Sequence, residues 1–219
     1  MSLVDVTKLS RESCQYPIKA ELKYATKKNF VGRIINGYDS SIIDVALLMP
    51  KAAKALCLTQ NYLNEKYGYG ILVYDAYRPK RAVQDILSWS KQPPSDEYEL
   101  ERKQKHYPKI EKSQLFDLGY VSKDSGHCYG NTVDVVLQVI KTGEILDMGA
   151  RYDFMDEISH TTVDSTQIGE VAYKNRLILS EAMQKFGFLP YTNEFWHFSH
   201  GGEEGREMNV PLDEVITRK

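Results

Sequence analysis

A histidine and an aspartate seven residues apart, His127 and Asp134, lie in the stretch Ser125-Gly126-His127-Cys128-Tyr129-Gly130-Asn131-Thr132-Val133-Asp134. The run that follows, Val135-Val136-Leu137-Gln138-Val139-Ile140, is apolar and β-branched and reads as a strand buried on both faces. A carboxylate at the head of such a strand needs a reason to leave water. A bare one is costly or changes its protonation state, so a buried one is normally paired or holds a metal. Taken alone, the pair reads as a turn-capping aspartate and a satisfied loop histidine. A second stretch, Glu194-Phe195-Trp196-His197 followed by Phe198-Ser199-His200, reverses that reading. A hydrolytic zinc takes three protein ligands, often two histidines and a carboxylate, and keeps one position open for water. His127, Asp134 and His197 make such a set for one Zn2+ per chain, and Glu194 is then the carboxylate that takes a proton from the water. This is not the helical H-E-x-x-H arrangement. The aromatic neighbours suggest a strand, in which residues three apart face opposite ways, so Glu194 must precede the strand on a turn or be re-aimed by a bulge.

Together, S-x-H-x-x-G-x-x-x-D and E-x-W-H resemble the zinc D-Ala-D-Ala dipeptidases, the type associated with vancomycin resistance. Their superfamily also includes D,D-carboxypeptidases and the hedgehog signalling domain. Leu22-Lys23-Tyr24-Ala25-Thr26 with Asn29-Phe30 and Gly32, Tyr74-Asp75-Ala76-Tyr77-Arg78-Pro79, and Asp147-Met148-Gly149 with Tyr152-Asp153 and Met155-Asp156 match the narrower dipeptidase family. The likeness runs from about Leu22 to His200. It departs at Thr132-Val133, where a small residue is expected before the aspartate, and at Tyr152, where phenylalanine is expected.

The resemblance implies hydrolysis of D-Ala-D-Ala to two D-alanines. Arg78 would stabilise the oxyanion, Ser125 would contact substrate, Asp153 would meet the free ammonium, and Tyr24 would help close the pocket. His200 reads as a neighbour of the ligands or a proton donor in product release, and Asp75 as an orienting group or a strand end. His106 and His160 read as loop histidines. Rival readings are a D,D-carboxypeptidase acting on longer peptidoglycan peptides, a non-haem iron site and a non-catalytic zinc-stabilised binding domain. The spare base Glu194 and the lack of a close H-x-D pair argue against iron. Glu194 and Arg78 together argue against a merely structural site.

The elements that must bring these residues together are short. A strand is expected over Ile18 to Tyr24, a helix from about Val45 to Lys66 with Pro50 in its first turn and Gly68 as its stop, a strand at 71–74 and a helix from Arg81 to Ser90. Residues 91–113, with Pro93-Pro94 and a dense charge run, read as a solvated excursion. Residues 133–149 read as a hairpin turned at Thr142-Gly143, and 150–167 as a polar loop. An amphipathic helix over Ile168 to Phe186 ends at Gly187, a last strand covers Glu194 to Ser199, and a turn of helix is expected near Asp213. Interleaved helices and strands around one antiparallel unit predict an α+β fold, with a small antiparallel or mixed sheet carrying the site. The resemblance implies the same fold.

A chain of 219 residues reads as one domain, 1–219, long enough to bury a core without staples. A net charge of −2 offers no long-range attraction to nucleic acid or an anionic membrane; the resemblance implies a small dipeptide as partner, and a homo-oligomer stays open. Cys14, Cys57 and Cys128 are too few and scattered for a disulfide framework, and Cys128 reads as a half-buried thiol. Residues 1–19 hold no apolar run suited to a signal sequence, and no stretch approaches the ~20 apolar residues of a membrane span, so the expected location is the cytoplasm.

Overall fold

The computed structural model describes residues 3–94, 96–201 and 206–217. A short strand, Val4–Asp5 (β1), leads into the helix Val6–Ser13 (α1), which Asp5 caps by accepting from the N–H groups of Thr7 and Lys8. Next come Lys19–Ala20 (β2) and Leu47–Leu48 (β3), the latter paired antiparallel with β1. The helix Pro50–Tyr67 (α2) starts at proline, whose missing N–H costs nothing in the first turn. It ends at Gly68, left-handed at φ +70°, whose N–H returns to the carbonyls of Leu63 and Asn64. The chain continues through Tyr69–Asp75 (β4), Lys80–Ser90 (α3), Glu99–His106 (α4), Thr132–Val139 (β5), Ser165–Ile168 (α5), Glu170–Lys185 (α6), Phe188–Tyr191 (β6), Glu194–His200 (β7) and Leu212–Thr217 (α7).

Five strands form a sheet in the order β2-β4-β5-β7-β6. Only the β2–β4 pair is parallel, so the sheet is mixed and the fold α+β, as the interleaved pattern predicts. Helices α2 and α6 pack against each other and against the sheet. The buried apolar cluster gathers Leu56, Leu63, Ile71, Val73, Val135, Leu137, Leu179, Met183 and Phe198, each worth about 1.5–3 kcal/mol of burial. Strand alternation sends Val133, Val135 and Leu137 to one face of β5 and Asp134 to the other. The rigid apolar side of the strand thereby fixes what the polar side presents.

Several elements differ from expectation, each for a local reason. The strand expected at Ile18–Tyr24 shrinks to β2, because the N–H of Leu22 turns to the carbonyl of Ile43 and a 3-10 turn follows at Lys23–Ala25. The helix expected from Val45 starts at Pro50, since Leu47 and Leu48 are taken up by β1. The hairpin over 133–149 keeps its turn, but its return arm is reduced to a bridge between Gln138 and Ile145. The helix expected from Ile168 is broken at Gly169, whose φ of +83° separates α5 from α6. The charged excursion also contains α4, and it buries an ion pair between Glu99 and Lys112, with the ammonium 4.9 Å above the Trp89 ring. Pairing is what lets two charges from this run leave water. The expected helical turn near Asp213 is α7.

His106, which reads in the sequence as a loop histidine, closes α4 and hydrogen-bonds through Nδ1 to the carbonyl of Asp153, 3.0 Å away. Burial lowers its pKa to about 4, with Arg151, Lys105 and Arg102 adding to the effect. Between the folded value of about 4 and an unfolded value of ~6.5, the unfolded chain binds the proton and the folded chain does not. The stability this group contributes is therefore complete above about pH 6.5 and is lost as pH falls toward 4. Urea unfolding from pH 7 to 4 should show the wild-type protein losing about 2–3 kcal/mol more than His106→Gln over that window. Parallel pH profiles for the two proteins would rule the buried neutral imidazole out as the cause.

Candidate metal centre and its pocket

Cross-strand register assembles the site. Asp134 on β5 pairs directly with His197 on β7, and directly opposed residues in an antiparallel pair share a face. Between β4 and β5 the register moves from Val73 opposite Val135 to Asp75 opposite Asp134, two residues on β4 against one on β5. That bulge brings Asp75 beside Asp134. A second irregularity answers the question that the strand reading of Glu194 raises. Pairing passes from Pro190–Phe198 to Tyr191–Glu194, one step along β6 for four along β7, so a bulge re-aims the head of β7. The Glu194 Oε2 then lies 3.4 Å from His197 Nδ1.

His127 arrives from the 3-10 turn Gly126–Tyr129 just before β5. A Cβ at Gly126 would stand 2.4 Å from Thr132 Oγ1, so any larger residue there would force Thr132 to move. The same packing accommodates the larger Thr132, whose hydroxyl bonds to Ser199 Oγ at 2.8 Å. His127 donates Nδ1–H to the carbonyl of Ala76 at 2.7 Å, which fixes the tautomer and turns the Nε2 lone pair inward.

Three donor atoms then converge. His127 Nε2 and Asp134 Oδ1 are 3.3 Å apart, His197 Nδ1 and Asp134 Oδ1 3.1 Å, and the two imidazole nitrogens 3.3 Å. Asp134 is buried, and among the described residues its Oδ1 receives no hydrogen bond. Its other oxygen, Oδ2, accepts the Tyr152 hydroxyl at 2.8 Å and lies 3.7 Å from Arg78 Nη2. Burial works to raise the Asp134 carboxyl, but His127 and His197 outweigh it and hold the group well below the usual carboxylate range. Two imidazoles and an orphaned carboxylate oxygen aimed at one point fit a metal ion.

Around this centre the charge is one-sided. Asp75, Asp134, Asp153 and Glu194 are all buried, with Arg78 as the guanidinium among them. Arg78 is gripped by Asp75 Oδ2 through Nε (2.8 Å) and Nη2 (2.7 Å), while Asp75 Oδ1 accepts the Tyr38 hydroxyl at 2.6 Å. The guanidinium lies 4.8 Å from the Tyr24 ring centre. Asp75 therefore orients Arg78, one of the two roles its sequence position allowed. Burial first, then Asp134 and Asp153, push the Glu194 carboxyl well above its ordinary range; Arg78 opposes this. Asp153 is likewise raised well above its ordinary range by burial and then by Asp134. Its Oδ1 accepts the Tyr24 hydroxyl at 3.3 Å, and its Oδ2 is buried without a hydrogen-bond partner among the described residues.

Tyr24, Arg78, Ser125, His127, Asp134, Asp153, Glu194 and His197 line one pocket of about 230 Å³. His200 does not line it; its ring packs against Phe188, 5.1 Å away. His160 lies outside the pocket and contacts the Tyr120 hydroxyl through Nε2 at 3.2 Å. Cys128 is fully buried rather than half-buried, and burial raises its thiol to about 11, which leaves no reactive thiolate at neutral pH. Sequence reasoning missed Tyr120 and Tyr191, which line the pocket, and Tyr38 behind Asp75. Isolated tyrosines carry no spacing signal. Tyr152 gave a signal only as a departure from the family pattern.

Comparison with known proteins finds a consistent set of relatives. A family model described as D-ala-D-ala dipeptidase matches residues 9–217. The D-alanyl-D-alanine dipeptidase of Enterococcus faecalis is 38% identical over 182 residues, 83% of this chain and 85% of that protein. The D-alanyl-D-alanine dipeptidase of Streptomyces coelicolor is 38% identical over 185 residues, with the same coverage of each chain. The Escherichia coli protein of the same name is 31% identical over 195 residues, 89% of this chain and 85% of that one.

Proposed function

We propose, from the premise that this chain belongs to the D-ala-D-ala dipeptidase family, that it hydrolyses D-Ala-D-Ala to two D-alanines with one zinc ion on His127, Asp134 and His197. The observation that carries the metal reading is the trio of donor atoms 3.1–3.3 Å apart. Tetrahedral zinc with bonds of ~2.0–2.1 Å separates its ligands by ~3.3 Å. Two imidazoles with one carboxylate and a further position for water are also the ligand pattern of hydrolytic zinc.

Bound zinc supplies Lewis-acid chemistry, lowering the pKa of water and polarising a peptide carbonyl. The protein's own groups do the rest. Glu194, beside His197 and facing the pocket, takes the proton of the attacking water and passes it to the leaving amine. Arg78, held on one edge by Asp75 and stacked on Tyr24, directs its remaining donors at the oxyanion that develops on the substrate carbonyl. Asp153 offers its unpartnered Oδ2 to the free ammonium, Ser125 contacts the substrate at the pocket wall, and Tyr24 closes the pocket behind Asp153. The enclosed volume is below the ~300–1,000 Å³ usual for drug-sized ligands, which suits a dipeptide. We read residues 1–219 as one domain. The three free cysteines suit a cytoplasmic setting, and no helix among the described residues is long and apolar enough to cross a membrane.

Elemental analysis should find about one zinc per chain, and replacing His127, Asp134 or His197 with alanine should strip it. Full zinc retention in all three variants would overturn the ligand set. Glu194→Ala should keep zinc and lose ~10²–10⁴-fold in kcat, as for a missing general base. Arg78→Ala should keep zinc and lose ~10²–10³-fold, as for one oxyanion donor. Turnover near wild type in either variant removes that residue from the mechanism.

A dipeptidase must recognise an ammonium next to the scissile bond, whereas a D,D-carboxypeptidase must leave that side open for a longer chain. D-Ala-D-Ala should therefore be cleaved and its N-acetyl derivative should not. Asp153→Ala should lower kcat/KM for the free dipeptide about ten- to a hundredfold, the worth of a charge-assisted hydrogen bond, with zinc still bound. If D-alanine is released from the acetylated peptide as fast or faster, the enzyme is a carboxypeptidase and Asp153 has another role.

A further inference from the structure

The second oxygen of Asp134 is in use. Tyr152 donates its hydroxyl to Oδ2 at 2.8 Å, while Oδ1 faces the two imidazole nitrogens. The same Oδ2 is 3.7 Å from Arg78 Nη2, so two donors compete for one carboxylate oxygen and the tyrosine holds the closer place. A carboxylate with a free second oxygen can swing to bind a metal through both, or can draw a nearby guanidinium into a tighter ion pair. Either change would alter the site: the first takes up room at the metal, and the second pulls Arg78 away from the substrate.

The tyrosine ring is itself held in place. It lies 5.0 Å from the Tyr74 ring and 5.3 Å from the Trp196 ring, centre to centre, on β4 and β7. The loop that carries it is tied to α6. Arg176 donates Nε–H to the carbonyl of Met148 at 2.6 Å and Nη2–H to that of Ile158 at 3.0 Å, and Asn175 reaches the carbonyl of Asp147 at 2.8 Å. The hydroxyl thus reaches Asp134 from a fixed backbone rather than from a loose loop.

We propose that Tyr152 is a positioning residue of the metal centre: its hydroxyl occupies Asp134 Oδ2, so that Asp134 gives the ion one oxygen and leaves Arg78 directed at the substrate. This rests on the zinc reading above and goes beyond it, because the three ligands by themselves require no hydroxyl on the second oxygen of Asp134. Donors of this kind, one bond removed from the metal, typically affect affinity by 10–100-fold.

The test is Tyr152→Phe, which removes one oxygen and keeps the ring between Tyr74 and Trp196. Zinc dissociation constants for both proteins are measured by chelator competition. The cobalt(II)-loaded forms are compared by visible absorption, which reports ligand number and geometry directly. Melting of the two metal-free proteins is recorded alongside. The variant should bind zinc about tenfold more weakly or worse, shift the cobalt spectrum, and melt like wild type without metal. Equal zinc affinity and superimposable cobalt spectra would overturn the proposal. So would an affinity loss with an unchanged spectrum and an earlier melt, which would make the hydroxyl merely structural. If the wild-type protein itself takes up no zinc or cobalt, the metal reading fails at its root. That outcome is distinct from a wild type that binds and a variant that matches it.

Discussion

Buried negative charge around Arg78 is the constraint on which the other features depend. Asp75, Asp134, Asp153 and Glu194 lie within one small region of low solvent access, with a single guanidinium among them. Buried charge of one sign is costly, and a protein tolerates it only where something positive is expected. Four carboxylates against one guanidinium leave an excess of negative charge, which a divalent ion held by His127, Asp134 and His197 would offset. In the protein alone, burial first and then the neighbouring Asp134 push Glu194 and Asp153 up. A cation's own charge reverses such local effects, which is how a carboxyl raised by its neighbours becomes a carboxylate able to accept a proton.

The sheet turns this constraint into geometry. Asp134 and His197 are opposed across one strand pair, so their distance is set by backbone hydrogen bonding and not by side-chain search. Two irregularities do what a regular ladder could not. One brings Asp75 level with Asp134, where it can grip Arg78, and the other turns Glu194 toward His197 although three residues separate them. Each disruption sits beside the apolar positions of β4, β5 and β7, where Val73, Val135 and Phe198 hold the strands rigidly. Local loss of pairing is thereby absorbed by packing, which holds Asp134, His197 and Glu194 in place from the strands themselves.

Much of this was legible from residue types. His127, Asp134, His197 and Glu194 are chemically distinctive, and their spacing in two stretches suffices to suggest a shared ion. The α+β class followed from interleaved elements and the end of α2 from Gly68, whereas its start was read five residues early because Val45 to Leu48 carry a helical apolar pattern. Long-range register was not legible, because it depends on which residues oppose one another and not on their order. The bulge at Glu194 could be required by the chemistry but not located. Burial of Glu99 and Lys112 within a charge run escaped too, since a pair formed across a turn looks in sequence like two solvated charges. His106 escaped for a similar reason: its partner is a backbone carbonyl, which leaves no trace in side-chain identity.

The segment from Asp147 to Ile158 shows how metal geometry and substrate choice can be joined. Tyr152 and Asp153 are neighbours in the chain but serve different ends, one reaching the ligand carboxylate and the other the pocket. Successive side chains on an extended backbone would diverge too far to do both. Asp153 instead adopts the left-handed region at φ +56°, unusual for a residue other than glycine and costing of order 1 kcal/mol. That twist swings its carboxyl under the Tyr24 hydroxyl while the Tyr152 hydroxyl stays on Asp134. His106 holds the carbonyl of the same residue, and Arg176 fixes the segment on both sides through the carbonyls of Met148 and Ile158. The strained backbone is thus held by three hydrogen bonds from two side chains, His106 and Arg176. Displacing either anchor would draw the Tyr152 hydroxyl from Asp134 and the Asp153 carboxyl from Tyr24 together, because the two residues share one short stretch of backbone.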